Sequence, residues 1–219
     1  MAIEPMPPTE NAFGMLRQLV RKRRTAERCE LCSAEIAVSH PHLIDPIARK
    51  LVCSCDACAL LFSGRADARF KRVPRQSKRL ANFQMTDAQW DGLMIPINMA
   101  FFFHSSPEAR VIAMYPSPAG ATESLLSLEA WSEIERENPE IKNMEPDVEA
   151  LLVNRIGHSR GFTKPEFYLL PIDQCFKLVG LIRSQWRGFS GGTEVWQRIG
   201  EFFAELRTNA TVIGGQGSA

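Results

Sequence analysis

Two Cys-x-x-Cys pairs constrain this chain more than any other sequence feature. Cys29 and Cys32 form the first pair and Cys55 and Cys58 the second, with 22 residues between Cys32 and Cys55. Two residues between cysteines allow a tight turn to point both sulfurs at one ion, and two such turns supply four thiolates at tetrahedral corners. The separation is slightly above the usual value of roughly 15–20 residues. The pattern therefore predicts one metal site with these four cysteines as ligands.

Three neighbouring residues are alternative ligands. Cys53 stands two residues before Cys55 and could replace it or be a buried thiol. His40 and His42 flank Pro41 and could also ligate, although a plain turn is the simpler account of both. Zinc sites combine cysteine and histidine freely, so the ligand set stays open at this point.

Zinc is favoured over iron, although four thiolates suit either ion. Rubredoxins resemble this layout, but their knuckles usually carry Pro and Gly inside and after each pair, which frees backbone amides to bond the sulfurs. Ser33 and Ala59 occupy the positions after the two pairs. A rubredoxin-like iron electron carrier therefore remains an alternative to a zinc protein.

Composition places the chain among globular proteins. A length of 219 residues with 45% hydrophobic and 23% charged residues predicts a real core. Pro96, Asn98 and His104 interrupt the longest apolar stretch, which is far short of a membrane span. Residues 1–10 are acidic and proline-rich, without the positive start and apolar stretch of a secretory signal. We therefore expect a cytoplasmic protein, in which clustered cysteines indicate metal rather than disulfides.

Charge is unevenly distributed along the chain. Residues 1–80 hold 15 Lys/Arg and 8 Asp/Glu, a net charge of +7, whereas the remainder holds 11 and 17, a net charge of −6. A basic segment can bind nucleic acid or an acidic partner. The favoured interpretation is that it packs against the acidic part of its own chain. Aromatic residues for base stacking are scarce in residues 1–80, which argues against single-stranded nucleic acid as the partner.

The chain divides into four predicted parts. Residues 1–27 form a flexible N-terminus with a short basic helix at 12–26, residues 28–80 a zinc-ribbon-like metal module with a basic linker, residues 81–208 an α+β domain, and residues 209–219 a flexible tail. Within the module, residues 34–38 and 49–52 are predicted to pair as a hairpin. The fold class is α+β, with a small zinc-ribbon-like N-terminal module attached to an antiparallel β-sheet domain with C-terminal helices.

Hydrophobic periodicity and turn signals predict the elements of the larger domain. Predicted strands cover residues 95–104, 110–115, 123–128 and 167–170, and predicted helices begin at Thr86 or cover residues 128–137, 146–155, 173–186 and 193–207. Thr86 followed by Gln89 is a capping box. Cys175 lies on the apolar face of its predicted helix and is expected in the core.

No catalytic constellation stands out. The Cys-Glu-Leu-Cys and His-Pro-His segments are similar to zinc-bearing His-Asn-His nucleases, for which His40, His42 and Asp45 could supply further ligands. However, no histidine stands shortly after Cys58, where that chemistry would require one; Leu60, Leu61 and Phe62 come instead. No nucleophile stands beside a base elsewhere, so we predict a non-enzymatic protein.

Six segments of the chain form a combination that points to a family. They are Arg28-Cys29-Glu30-Leu31-Cys32, His40-Pro41-His42-Leu43-Ile44-Asp45, the run from Cys53 to Phe62, the run from Tyr115 to Glu123, the run from Glu145 to Leu152, and the run from Trp186 to Gly192. Together they resemble an uncharacterised bacterial family whose members are typically encoded beside nickel–iron uptake hydrogenase genes. The resemblance implies an accessory role in hydrogenase assembly, or a small electron carrier for it. It implies no established activity and no proven site residues.

Together these observations favour a metal-binding accessory protein. Its predicted partner is a protein client such as a hydrogenase subunit, contacted by a rigid zinc module and the larger domain. The alternatives are an iron-containing electron carrier and a zinc-ribbon protein that binds nucleic acid through the basic first third of the chain.

Overall fold

The structure is a computed structural model of the 219-residue chain, and it describes residues 27–65, 67–158, 161–188 and 190–214. The short basic helix predicted at residues 12–26 lies outside these ranges. Within them, no helix is both long enough and apolar enough to cross a membrane.

The described residues form an α+β fold. The strands are β1 His42–Asp45, β2 Lys50–Cys53, β3 Lys71–Arg72, β4 Lys78–Leu80, β5 Met99–Ser105, β6 Arg110–Ser117, β7 Gly120–Ser124, β8 Glu149–Asn154, β9 Glu166–Pro171 and β10 Thr211–Ile213. The helices are α1 Asp56–Ser63, α2 Asp87–Gly92, α3 Leu128–Glu137, a 3₁₀ helix Pro139–Asn143, α4 Ile172–Gln185 and α5 Gly192–Asn209.

A small antiparallel sheet with strand order β2-β1-β3 carries the cysteines. The described residues 27–65 and 67–73, which contain this sheet, α1 and the loop bearing Cys29 and Cys32, are called the cysteine module below. Asp45 closes the β1–β2 hairpin, because its buried carboxylate accepts hydrogen bonds from the amides of Ile47 and Ala48 at 3.1 and 3.0 Å. These amides and the Arg69 guanidinium hold the pKa of Asp45 below its usual value.

A seven-stranded sheet with order β10-β4-β9-β8-β5-β6-β7 forms the rest of the fold, and is called the sheet domain together with α2 to α5. All its described neighbours are antiparallel except β10 and β4, which are parallel. Alternate residues of a strand point to opposite sides of the sheet. In the central strands both sets of residues are apolar, so each face of the sheet carries its own buried cluster. Leu152 faces the core under α4 and α5, whereas its neighbour Leu151 faces the core under α2 and α3. The sheet is therefore the middle of three layers.

Local signals place several helix starts where the sequence predicts them. Thr86 and Gln89 form the complete capping box at the start of α2, with the Gln89 amide donating to Thr86 Oγ1 at 3.1 Å. Ser127 caps α3 by accepting from the amide of Ala130 at 3.3 Å. These caps satisfy amides that have no partner within the first helical turn.

Two predicted elements were wrong, and two strands lie where no strand was predicted. The helix predicted at residues 146–155 is strand β8, where Ala150 to Val153 are buried from both sides. The module hairpin uses β1 and β2 rather than residues 34–38, because residues 33–35 close the first cysteine turn. Strands β4 and β10 lie in the predicted linker and tail, and they pair with each other at the edge of the large sheet.

The cysteine module packs against the sheet domain. Ile44 and Val73 of the module belong to the same buried cluster as the residues under α4 and α5. Basic module residues also reach acidic residues of the domain: Arg49 bonds Glu108 and lies 2.9 Å from Glu123, and Lys71 lies 2.6 Å from Asp147. Part of the charge asymmetry of the sequence is therefore used for internal pairing.

Candidate metal centre

The structure brings the four predicted cysteines together. The sulfurs of Cys29, Cys32, Cys55 and Cys58 all lie within 4.8 Å of one another, and those of Cys32 and Cys55 are 3.7 Å apart. Cys29 and Cys58 are buried, whereas Cys32 is exposed. Four converging cysteine sulfurs are the ligand set of structural zinc and of mononuclear iron sites. The cluster can therefore hold a metal ion at one edge of the module.

The first cysteine turn is closed by backbone hydrogen bonds. The Ser33 amide donates to the Cys29 carbonyl at 2.8 Å, and the Cys29 amide donates to the Ala34 carbonyl at 2.8 Å. Ser33 adopts a left-handed conformation with φ of 63°, a position at which glycine is usually preferred. The serine that departs from the rubredoxin pattern thus takes the conformation that such a turn requires.

The second cysteine turn is the beginning of α1. Cys55 is the N-cap residue, and its sulfur accepts a hydrogen bond from the Cys58 amide at 3.4 Å. A helix N-terminus carries a partial positive charge, which favours thiolates. The cap contact fixes the direction of the Cys55 sulfur at the beginning of the helix, next to Cys58.

Hydrogen bonds tie the two turns together. The Glu30 amide donates to the Cys53 carbonyl at 2.9 Å, and the Cys53 amide donates back to Glu30 Oε1 at 2.9 Å. The buried Ser54 donates from its amide and its hydroxyl to the Pro41 carbonyl at 3.0 and 3.1 Å. The position of the second pair is thus fixed by backbone contacts on both sides.

The pKa values of the buried thiols are unequal. Burial disfavours the thiolate of Cys29, but hydrogen bonds from the amides of Cys55, Leu31 and Cys32 outweigh it and lower its pKa to about 6. Burial, together with contacts to the other three sulfurs, raises the pKa of Cys58 to about 12. Part of the rise in the pKa of Cys58 comes from negative charge on Cys29, which disfavours charge on the neighbouring sulfur. A bound cation would remove this conflict and release the remaining protons.

The hydrophobic core of the module is small. Its own buried cluster, among the described residues, consists of Leu43, Val52 and Ala59, with Leu31 and Phe70 packed against it. So small a cluster rarely stabilises a fold alone, and small modules usually add a disulfide or a metal. The described cysteines form no disulfide. A metal bound by the four thiolates would therefore add the stability that the small core of this module does not supply.

The three alternative ligands form a group of their own. His40, His42 and Cys53 bring one ligand atom each to within 4.8 Å of the others. Strand pairing explains this, because His42 lies directly opposite Cys53 in the β1–β2 ladder. Burial and the negative charges of Glu30, Glu27 and Cys29 raise the pKa of Cys53.

Sequence reasoning missed one residue of this second group. Asp173, in the first turn of α4, places Oδ2 2.7 Å from His42 Nδ1, although the two residues are 131 positions apart. No local pattern could have identified this carboxylate, because its contact depends on how the module packs on the sheet domain.

The remaining candidate side chains lie elsewhere. His104 is on β5, with Nε2 3.7 Å from Glu135, and His158 contacts the Thr163 carbonyl at 3.3 Å and Asp87 at 3.2 Å. Cys175 is fully buried in the core under α4, as predicted, and burial raises its pKa. None of these residues joins the two groups around the module.

Comparisons with known proteins identify the family. No curated protein and no solved structure matches the chain. The sequence profile of a family of unknown function, DUF5947, matches residues 28–210 and so spans the cysteine module and nearly all of the sheet domain. The chain is therefore a member of the DUF5947 family.

Proposed function

We propose that this protein is a non-enzymatic, metal-binding accessory protein whose thiolate site holds a structural Zn²⁺ and whose module contacts a protein client. The observation that carries the proposal is an exposed apolar surface directly after the metal ligands. Leu60, Leu61 and Phe62 on α1 are 66%, 72% and 46% exposed. Contiguous exposed apolar side chains mark interaction surfaces in folded proteins.

The metal site and this surface are parts of one helix. Cys55 caps α1 and Cys58 lies in its first turn, whereas Leu60 and Leu61 follow on the exposed side. Ion binding fixes the beginning of the helix and therefore the direction in which the apolar side chains point. The proposed role of the metal is to hold a recognition surface, which requires neither redox change nor an open coordination position.

A groove on the sheet domain supports a second contact with the same client. This groove has a volume of about 810 Å³ and is mainly apolar, with Phe162, Trp186 and Trp196 among its lining residues. Phe162 and Trp196 are exposed. Tryptophan and other aromatic residues are enriched among the residues that dominate the binding energy of protein interfaces.

The sequence resemblance to a hydrogenase-linked family supports a nickel–iron hydrogenase subunit as the client, in the cytoplasm.

The first test is the metal content and visible spectrum of full-length protein purified without added metal. Colourless protein with zinc at the four cysteines is expected. A red protein whose colour disappears on reduction would replace the proposal with the iron electron carrier. Folded, fully reduced protein without metal would remove the structural role of the ion.

The second test concerns the client. The chain is co-expressed with the hydrogenase subunits, and co-purification is compared between the wild type and the Leu60→Ser/Leu61→Ser double variant. We expect the double variant to lose the client while keeping its metal. Leu125→Ser is the matched control, because Leu125 is 93% exposed but lies outside the module. Equal capture by all three proteins would contradict a client-binding surface on α1.

A further inference from the structure

We propose that His40, His42 and Cys53 form a second metal site, separate from the four-cysteine cluster, which takes a borderline divalent transition ion such as Zn²⁺. The three ligand atoms lie within 4.8 Å of one another. The inference does not depend on which metal, if any, the four cysteines hold, nor on a protein client.

The His40 ring has the orientation of a metal ligand. Its Nδ1 lies 2.8 Å from the Ala37 carbonyl, which can only accept, so Nδ1 carries a proton. In the neutral ring this leaves a lone pair on Nε2. His40 Nε2 is buried without a hydrogen-bond partner, and the side chain is only 7% exposed. A buried polar atom without a partner destabilises the folded protein, and a bound metal ion removes that cost.

The His42 ring is held by a carboxylate. Its Nδ1 lies 2.7 Å from Asp173 Oδ2, and Asp173 is largely buried. A ligating histidine commonly donates its other ring N–H to a carboxylate, which fixes the tautomer and the direction of the free nitrogen. With Nδ1 bonded to Asp173, Nε2 is the nitrogen of His42 available to a metal. Asp173 Oδ1 is also buried without a hydrogen-bond partner, so the carboxylate that holds His42 has a polar atom that the protein itself leaves unpaired.

Cys53 completes the set from the neighbouring strand. It pairs with His42 in the β1–β2 ladder, and its backbone is bonded on both sides to Glu30. The His40 and His42 rings meet edge to face at 4.8 Å. Two imidazoles and one thiolate suit zinc and related divalent ions rather than magnesium or calcium.

Three protein ligands leave one tetrahedral position for water or for a donor from outside the chain. Such three-ligand sites differ from closed structural sites in this respect. The second site also spans the two parts of the fold, because Asp173 belongs to α4 whereas the three ligands belong to the module. An ion here would hold the module against the sheet domain.

The experiment measures metal stoichiometry on reduced, full-length protein. Metal is removed with a chelator, the protein is titrated with Co²⁺ or Zn²⁺, and bound ions are counted by elemental analysis after desalting. The wild type is expected to bind two ions per chain. His40→Gln and Cys53→Ser are each expected to bind one, and to keep the thiolate-to-cobalt absorption of the four-cysteine site. His158→Gln, the matched control, is expected to bind two.

Asp173→Asn tests the positioning role of the carboxylate. The weaker of the two ions should dissociate about 10–100-fold more readily, with the stronger ion unchanged, since loss of such a partner reduces metal affinity by that factor. A wild-type chain that binds a single ion, retained in His40→Gln and Cys53→Ser, would overturn the second site. A wild type with a single ion that both variants lose would instead support the second site and contradict the structural zinc of the proposed function.

Discussion

The cysteine module and the sheet domain are stabilised by different means. The module buries a small cluster of its own around Leu43 and Val52 and brings four sulfurs together at its edge. The sheet domain buries apolar side chains on both faces of seven strands, under helices on either side. Hydrophobic burial is thus the main source of stability in one region, and metal coordination the proposed source in the other.

The two regions also differ in what they expose. In the module an exposed apolar group, Leu60 to Phe62, lies on the helix that carries the second pair of cysteines, whereas in the sheet domain Phe162 and Trp196 line a groove beside Trp186. A region whose order depends on an ion can be switched by removing that ion. A region ordered by its core cannot. The comparison therefore predicts separate responses to metal removal and to core mutation.

Removing metal should have the largest effect, confined to the module. Structural zinc supplies about 10–16 kcal/mol in small zinc modules, so its loss should abolish amide-exchange protection of β1 and β2. Protection of β5 and β8 should persist, because their cores contain no metal ligand. Hydrogen exchange read by mass spectrometry, with and without chelator under reducing conditions, measures both regions at once.

Cys29→Ser is the genetic counterpart of chelation and should give the same pattern. Cys175→Ser is the control, since it changes a cysteine of the sheet domain that no metal group includes. Uniform loss of protection across both regions in Cys29→Ser would show that the module and the sheet domain unfold together. It would contradict the conclusion that the two regions are stabilised by different means.

Leu152→Ala should destabilise the sheet domain without affecting the metal. Leu152 is fully buried in the middle of β8, between β5 and β9. Large-to-small substitutions at such positions cost about 2–5 kcal/mol. Urea unfolding measures the loss, and elemental analysis should find unchanged metal. Leu125→Ala, at an exposed position, should stay within about 0.5 kcal/mol of the wild type.

Elements specified by short-range patterns were predictable from the sequence. The four cysteines converge as their spacing predicts, because each pair forms one turn and the strands between them bring the turns together. The β5–β6 hairpin and the α2 capping box also follow from local signals at residues 105–108 and Thr86. In each case the deciding contacts are formed within a few residues or between adjacent strands.

Contacts between distant segments were not predictable. Residues 150–153 are apolar throughout, and a short continuous apolar run does not distinguish a buried helix from a central strand. This segment forms a strand rather than a helix because β5 and β9 supply hydrogen-bonding partners on both sides. The contact of Asp173 with His42 and the pairing of β10 with β4 join segments that are more than 130 residues apart. The second metal group therefore requires the structure, although its three ligands are visible in the sequence.

Lys71→Met should weaken the junction between the two regions by about 1–3 kcal/mol. Asp147 is buried and accepts from the Ser106 amide at 2.8 Å, and Lys71 supplies its nearby cation at 2.6 Å. Without Lys71 a buried carboxylate keeps its hydrogen bonds but loses its counter-charge, which carries a desolvation cost of that order. Urea unfolding gives the magnitude, and exchange at β3 locates it. Lys177→Met, which removes an exposed pair with Glu205, should cost less than about 1 kcal/mol.

Glu123→Gln should have the smallest effect, visible as a change in pH dependence. Hydrogen bonds from Arg49 of the module and Arg110 of β6 lower the pKa of Glu123 on β7. Because the folded pKa is below the unfolded one, this contribution is present above the ordinary glutamate pKa of about 4.3 and disappears as pH falls through the folded value. All three side chains are partly exposed, so solvent screening limits the effect to below about 1 kcal/mol. Stability measured between neutral and acidic pH should fall less steeply in Glu123→Gln than in the wild type.

Glu201→Gln is the control, because its partners Gln197 and Arg198 lie on its own helix. In this variant, amide exchange in the module should respond to pH as in the wild type. If Glu123→Gln also leaves that response unchanged, the Arg49 contact does not couple the module to the sheet domain.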